Sequence, residues 1–112
     1  MNGDNLYIAD SESSSIRIFH EKNGVKNICG GSKNPMDLFS FGDVDGKGTE
    51  AKLQHPLDVA FIPEDPAFNQ RINEEHLFIV DSYNHKLKEA SDLKSKNPIC
   101  VTCPIEGSVG SR

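Results

Sequence analysis

The feature that most constrains the fold of this chain is an internal repeat. Residues 6–17, Leu-Tyr-Ile-Ala-Asp-Ser-Glu-Ser-Ser-Ser-Ile-Arg, align without a gap on residues 77–88, Leu-Phe-Ile-Val-Asp-Ser-Tyr-Asn-His-Lys-Leu-Lys. Leu, Ile, Asp and Ser are identical at four columns, and four further columns keep their chemical character. Because one repeat unit cannot bury its apolar surface alone, the alignment predicts a fold made by stacking similar units.

Each copy has the pattern of a β-hairpin. Residues 6–9 and 77–80 are consecutive apolar positions, which predicts strands covered on both faces. The Asp-Ser that follows is typical of a tight turn, and Ile16-Arg17-Ile18-Phe19 then begins an alternating strand. Residues 25–29 predict a third strand in the first copy, closed by Gly30-Gly31.

The second copy offers four strands, at about residues 57–62, 77–81, 86–90 and 98–103. Four antiparallel strands in a meander form the blade of a β-propeller. We therefore predict an all-β chain with one incomplete blade of three strands and one complete blade of four. Residues 65–75 are the one helix candidate, and we expect a long hairpin loop there instead.

An ordered series of motifs resembles the NHL repeat, a β-propeller family. The motifs are Gly42-Asp-Val-Asp-Gly-x-Gly, Ala51-x-Leu, Pro56-x-x-Val-Ala, a hydrophobic strand ending at Asp81, and Asn84-His-Lys-Leu. The resemblance implies a partial NHL blade at 4–31, an inter-blade loop at 32–55, an NHL blade at 56–103 and a disordered tail at 104–112. It also departs from the repeat at three places, which are Asp58, Glu89-Ala90 and Cys103-Pro104.

Charge and cysteine content restrict the class of partner. Twelve basic residues against seventeen acidic ones give a net charge of −5, which argues against nucleic acid. No apolar run approaches the length of a membrane span, which argues against a membrane partner. The residues from Met1 onward lack the basic and apolar regions of a secretory signal, and three cysteines suit a reducing compartment, so we expect a cytoplasmic protein.

Asp43, Asp45 and Glu50 are the candidate ligands of a calcium loop. Counted from Asp43, Lys47 takes the fifth position of an EF-hand loop and Gln54 the twelfth, where a bidentate Glu is needed. We therefore expect no calcium site.

Cys100 and Cys103 have the spacing of a redox dithiol. Residues three apart on a strand point to opposite faces, so we interpret them as ordinary small residues. Zinc would need two further ligands, which the sequence does not supply in a second pair.

His55 and His85 are nominal metal ligands, because some NHL propellers, the amidating lyases, hold a metal near the central channel. We interpret His85 as a structural residue of the turn and His55 as the residue before a strand-starting proline. Residues 11–15 could accept phosphate, but a polar hairpin tip explains them better. The prediction is thus no catalytic residue, no cofactor and no metal.

Three functions remain open at this point. The favoured one is a non-catalytic propeller fragment that serves as a protein-protein interaction scaffold, presents loops such as 32–54 and is completed by blades outside this chain. The alternative is part of an enzyme, either a redox protein with a thioredoxin-like domain or a propeller lyase with a channel metal. RNA binding, known in some NHL proteins, is disfavoured by the negative charge.

Overall fold

The computed structural model describes residues 5–34, 36–63 and 75–104. They form two antiparallel sheets, and two short 3-10 turns, Gly48–Glu50 and Ser82–Asn84, are the only helical elements in these ranges. No described helix is long and apolar enough to cross a membrane.

The first sheet contains three strands in the order β1-β2-β3. Their bounds are Asn5–Asp10 for β1, Ser15–His20 for β2 and Gly24–Gly30 for β3. The β2–β3 register shifts by one residue between Ile16 and Arg17, which marks a β-bulge. Among the described residues, β3 has no partner strand on its outer side.

The second sheet has five strands in the order β4-β8-β7-β6-β5. The strands are β4 (Gly46–Lys47), β5 (Pro56–Ile62), β6 (His76–Asp81), β7 (Lys86–Ser91) and β8 (Ile99–Thr102). Strands β5 to β8 are the predicted four-stranded meander. Strand β4 was not predicted; it comes from the preceding segment and pairs with the outer side of β8.

The core lies between the two sheets. Ile16 of the first sheet and Leu77 and Ile79 of the second are fully buried. The rings of Tyr7 and Phe61 stack across the same space with centroids 5.2 Å apart. This contact between two like sheets is how adjacent propeller blades bury their apolar faces.

The opposite faces of both sheets remain open to solvent and carry apolar side chains. On the second sheet Val80, Leu87 and Val101 are 40–46% exposed, although each has a fully buried neighbour in sequence, which is Ile79, Lys88 and Cys100 respectively. On the first sheet Leu6 and Phe19 are paired and both exposed. Among the residues that the structure describes, the consecutive apolar positions of β1 and β6 are thus covered on one face only.

The predicted fold class is confirmed. All seven predicted strands are present, each within about two residues of its expected bounds. The departures from the NHL pattern at Glu89-Ala90 do not interrupt pairing, since Ala90 pairs with Leu77 and with Cys100. The helix candidate at 65–75, apart from Glu75, and the predicted tail, apart from Pro104, lie outside the described residues.

Candidate functional site

The same ion pair occurs at equivalent columns of the two repeat copies. In the first copy Arg17 Nε donates to Asp10 Oδ2 at 2.9 Å. In the second copy Lys88 Nζ lies 3.0 Å from Asp81 Oδ2. The repeated acid and base are therefore a structural pair that holds each hairpin turn against its second strand.

The turn residue before each second strand also has the same backbone conformation. Ser14 and His85 occupy equivalent columns, and both have a left-handed φ, of 56° and 55°. His85 ends the 3-10 turn, where its N–H donates to the Ser82 carbonyl at 3.0 Å. The backbone of His85 therefore has the geometry of a turn residue, and these contacts do not indicate a catalytic or metal-binding role.

Lys88 is the centre of a buried polar cluster that joins the loop at 32–54 to the second sheet. Its side chain has 0% exposure, and its ammonium donates to Asp43 Oδ1 at 2.9 Å and to the Lys52 carbonyl at 3.1 Å. Asp81, also fully buried, accepts from the Gln54 backbone N–H at 2.8 Å. Burial alone would lower the pKa of Lys88, but the bonds to Asp43 and Asp81 outweigh it and raise the pKa.

Asn84 completes this cluster. Its side-chain amide donates to the Gly42 carbonyl and to Asp81 Oδ2, each at 2.7 Å. The residues that carry the resemblance to the NHL repeat, Asp81, Asn84 and Lys88, therefore fix the loop by binding its backbone. Sequence reasoning treated Asp81 only as a turn residue and missed the burial of Lys88; the match of Lys88 to Arg17 was the signal that could have indicated it.

The candidate calcium ligands do not converge. Asp43 accepts hydrogen bonds from Lys86 and Lys88, which lower the pKa of its carboxyl. Asp45 accepts from the Thr102 hydroxyl at 2.8 Å, and Glu50 is exposed in the first 3-10 turn. Within the described ranges no group of three or more His, Cys, Asp or Glu side chains could hold a metal ion.

Cys100 contacts a cysteine that the sequence spacing did not indicate. Cys100 and Cys29 are both fully buried in the core between the sheets, and their thiols share a hydrogen bond. That bond and burial raise the pKa of the Cys29 thiol. Cys103 follows the end of β8 and is half-buried, and burial raises its pKa as well.

The remaining histidine and serine candidates have structural contacts. The His55 ring stacks on Tyr83 with centroids 4.4 Å apart, and the His55 N–H donates to Ser14 Oγ at 3.1 Å. Ser13, Ser14 and Ser15 are at most 4% exposed, so the predicted polar hairpin tip is packed against its neighbours instead of being solvated.

The loop at 32–54 exposes a short apolar segment. Met36 is 83% exposed and Phe39 84%, and Leu38 and Phe41 are about half exposed. Local hydrogen bonds hold this segment: Asp37 Oδ1 accepts from the Phe39 N–H, and Asp37 Oδ2 accepts from the Ser40 hydroxyl, both at 2.9 Å. The two bonds lower the pKa of Asp37. The segment is therefore an ordered, exposed apolar surface.

Comparison with known proteins confirms the resemblance to NHL-repeat proteins. The chain is 50% identical to human NHL repeat-containing protein 2 and 46% identical to the bovine protein, in each case over 107 residues, or 95% of the chain. It spans 13% of the length of each of these relatives. No protein-family model matches the chain.

A solved structure supports the fold. An auxiliary nutrient binding protein from Bacteroides ovatus has a TM-score of 0.65 to this chain, at 23% identity, over 98% of the chain and 24% of that protein. At this identity the likeness concerns the fold alone, which is propeller-like.

Proposed function

We propose that this chain, which matches a segment of NHL repeat-containing protein 2, is part of a larger β-propeller that acts as a non-catalytic, protein-binding scaffold. The observation that carries the proposal is the segment 36–41, in which Met36 and Phe39 are more than four-fifths exposed. The loop that contains this segment is held to the second sheet by hydrogen bonds to its backbone. Aromatic and methionine side chains are enriched at the centres of protein interfaces. A rigid scaffold that presents an ordered loop is a common arrangement for recognition.

The exposed outer faces of the sheets support the proposal that the chain is part of a larger β-propeller. Val80, Leu87 and Val101 form an apolar surface on one side of a blade, and water disfavours such a surface. We propose that blades outside this chain cover it, as they would in a closed ring of about four to eight blades. Three cysteines without a disulfide support a reducing compartment, and we propose the cytoplasm.

A double substitution tests the binding role. In the full-length protein, Met36→Ala with Phe39→Ala removes the two most exposed side chains of the segment. The control is Leu57→Ala, which removes a side chain that is 60% exposed on β5, outside the segment. Quantitative affinity purification should show specific partners reduced about tenfold or more by the double variant, since truncating such anchors costs about 2 kcal/mol or more. Partners should be retained by Leu57→Ala. An unchanged partner set in the double variant would reject the loop as the binding surface.

The ring proposal has its own test. If outside blades cover the outer faces, the 112-residue chain alone should self-associate at micromolar concentration, and Val80→Lys with Leu87→Lys should reduce that association. Analytical ultracentrifugation measures both. A monomeric wild-type chain would contradict the proposal.

A further inference from the structure

A cleft of about 260 Å³ lies between the first sheet and the connection that joins β7 to β8. One wall is β3 with the turn before it, and the other is the connection between β7 and β8 at residues 93–98. Its lining residues thus come from the first sheet and from this connection. It is distinct from the exposed segment at 36–41.

The cleft is basic in an acidic chain. Lys26, Lys94 and Lys96 line it, and none of its lining residues is Asp or Glu, although the chain has seventeen acidic side chains against twelve basic ones. Within the described residues, none of the three lysines forms an ion pair or a side-chain hydrogen bond. An adjoining depression of about 380 Å³ shares Lys96 and adds Lys33, together with Arg17, whose charge is already paired with Asp10. Like charges gathered without counter-charges repel one another, so a negatively charged ligand would stabilise this arrangement.

The other lining groups indicate the kind of anion. Ile18, Ile28 and Leu93 also line the cleft, and Phe19 and Val25 are exposed on the opposite face of the same two strands, which suits a ligand with aliphatic as well as acidic side chains. Residues 24–27 of β3 run along the cleft and are not buried, whereas residues 28–30 are buried and this strand also contacts the first 3-10 turn. No described strand pairs with the outer side of β3. An open strand edge offers backbone N–H and C=O groups to an extended peptide. Strand β8 of the second sheet does not offer these groups in the same way, because β4 pairs with part of its outer side.

We propose that this cleft binds an acidic polypeptide segment, which lies extended along β3 and directs its carboxylates towards Lys26, Lys94 and Lys96. Alternating acidic and aliphatic residues fit the geometry, because neighbouring side chains of a strand point to opposite sides. Carboxylates at alternate positions would face Lys26, Lys94 and Lys96, and the aliphatic side chains between them would face the opposite side of β3, where Val25 is 56% exposed.

Fluorescence anisotropy with the full-length protein tests the proposal. The probe is a labelled hexapeptide of alternating glutamate and leucine, and the control peptide replaces glutamate with lysine. The acidic probe should bind and the basic one should not, and binding should weaken as salt is raised. Lys94→Glu with Lys96→Glu should weaken binding about tenfold or more. Lys47→Glu is the control variant, because Lys47 is exposed but does not line the cleft, and it should leave binding within about twofold.

Two further measurements separate the peptide from other ligands. Hydrogen exchange should slow at the amides of β3 when the acidic probe is added, because a paired edge protects them. Millimolar inorganic phosphate should not displace the probe. Equal binding by the doubly reversed variant, equal binding of the basic peptide, or complete displacement by phosphate would each overturn the proposal, and the last would reassign the cleft to a small anion. Circular dichroism of each variant establishes that it is folded.

Discussion

Replacing Lys88 by Met should destabilise the second sheet far more than replacing its neighbour Lys86. Lys88 is fully buried and bonds to Asp81, Asp43 and the Lys52 carbonyl. Methionine fills a similar volume but leaves the Asp81 carboxylate buried without its cation. Asp81 would still accept from Gln54, but that bond does not neutralise its charge.

The magnitude follows from burial. Removing one partner of a buried ion pair costs about 3–5 kcal/mol, because the remaining charge stays desolvated. Lys86 also binds Asp43, but the two side chains are 37% and 35% exposed, so Lys86→Met should cost about 1 kcal/mol or less. Lys88→Arg keeps the charge and uses the residue found at the same column of the first copy, Arg17, so we expect a cost between these two.

Urea denaturation gives the free energy of unfolding of each variant, and hydrogen exchange locates the change. The amides of Gln54 and Lys52 should exchange faster in Lys88→Met, because the loop loses its attachment to the sheet. If Lys88→Met costs no more than Lys86→Met, or if exchange in the loop is unchanged, then the buried cluster does not hold the loop and the reasoning is wrong.

Three further predictions concern other parts of the described structure. Gly30→Ala should cost more than about 2 kcal/mol in a thermal melt, because a Cβ there would lie 2.6 Å from the Ser14 carbonyl oxygen at a φ of 76°. Gly24→Ala, with a φ of 77° but nothing within 4 Å, should cost about 1–2 kcal/mol, and equal losses would contradict the clash. The pKa of Asp43 is lowered in the folded protein, so its contribution to stability is present above its ordinary pKa of 3.8 and is lost as the pH falls through the lower folded value. Asp43→Asn should therefore flatten the acid limb of a curve of stability against pH. An unchanged acid limb would refute this. Cys103 should react with a thiol reagent in the native state while the two buried cysteines react only on unfolding, and three equal rates would show that the core is open.

Local patterns were sufficient to predict the strands but not the contacts between sheets. The run of apolar residues ending at Asp81 and the alternation at Ile16 and Ile18 reflect the period of a strand, which sequence displays directly. Strand β4 was missed because a two-residue pairing leaves no periodic signal. The contact between Cys29 and Cys100 was missed because it depends on how two sheets pack, which spacing along the chain does not encode.

The candidate site was harder to predict than the fold for a related reason. Lysine is a surface residue in most contexts, so nothing in Lys88 itself indicates burial. The sequence predicted that the loop at 32–54 is presented at the surface, but it did not indicate that the apolar side chains of Met36 and Phe39 within it are exposed. In both cases the environment of the side chain is set by distant residues.

The pairing of β4 with β8 has a consequence for folding during synthesis. Strand β8 is the last strand of its sheet to leave the ribosome, and an outermost strand normally offers free backbone groups to any other extended chain nearby. Here part of its partner has been made about fifty residues earlier. Strand β8 can therefore insert between β4 and β7, which have both been synthesised already. This limits the time in which β8 could pair with another nascent chain on the same messenger RNA.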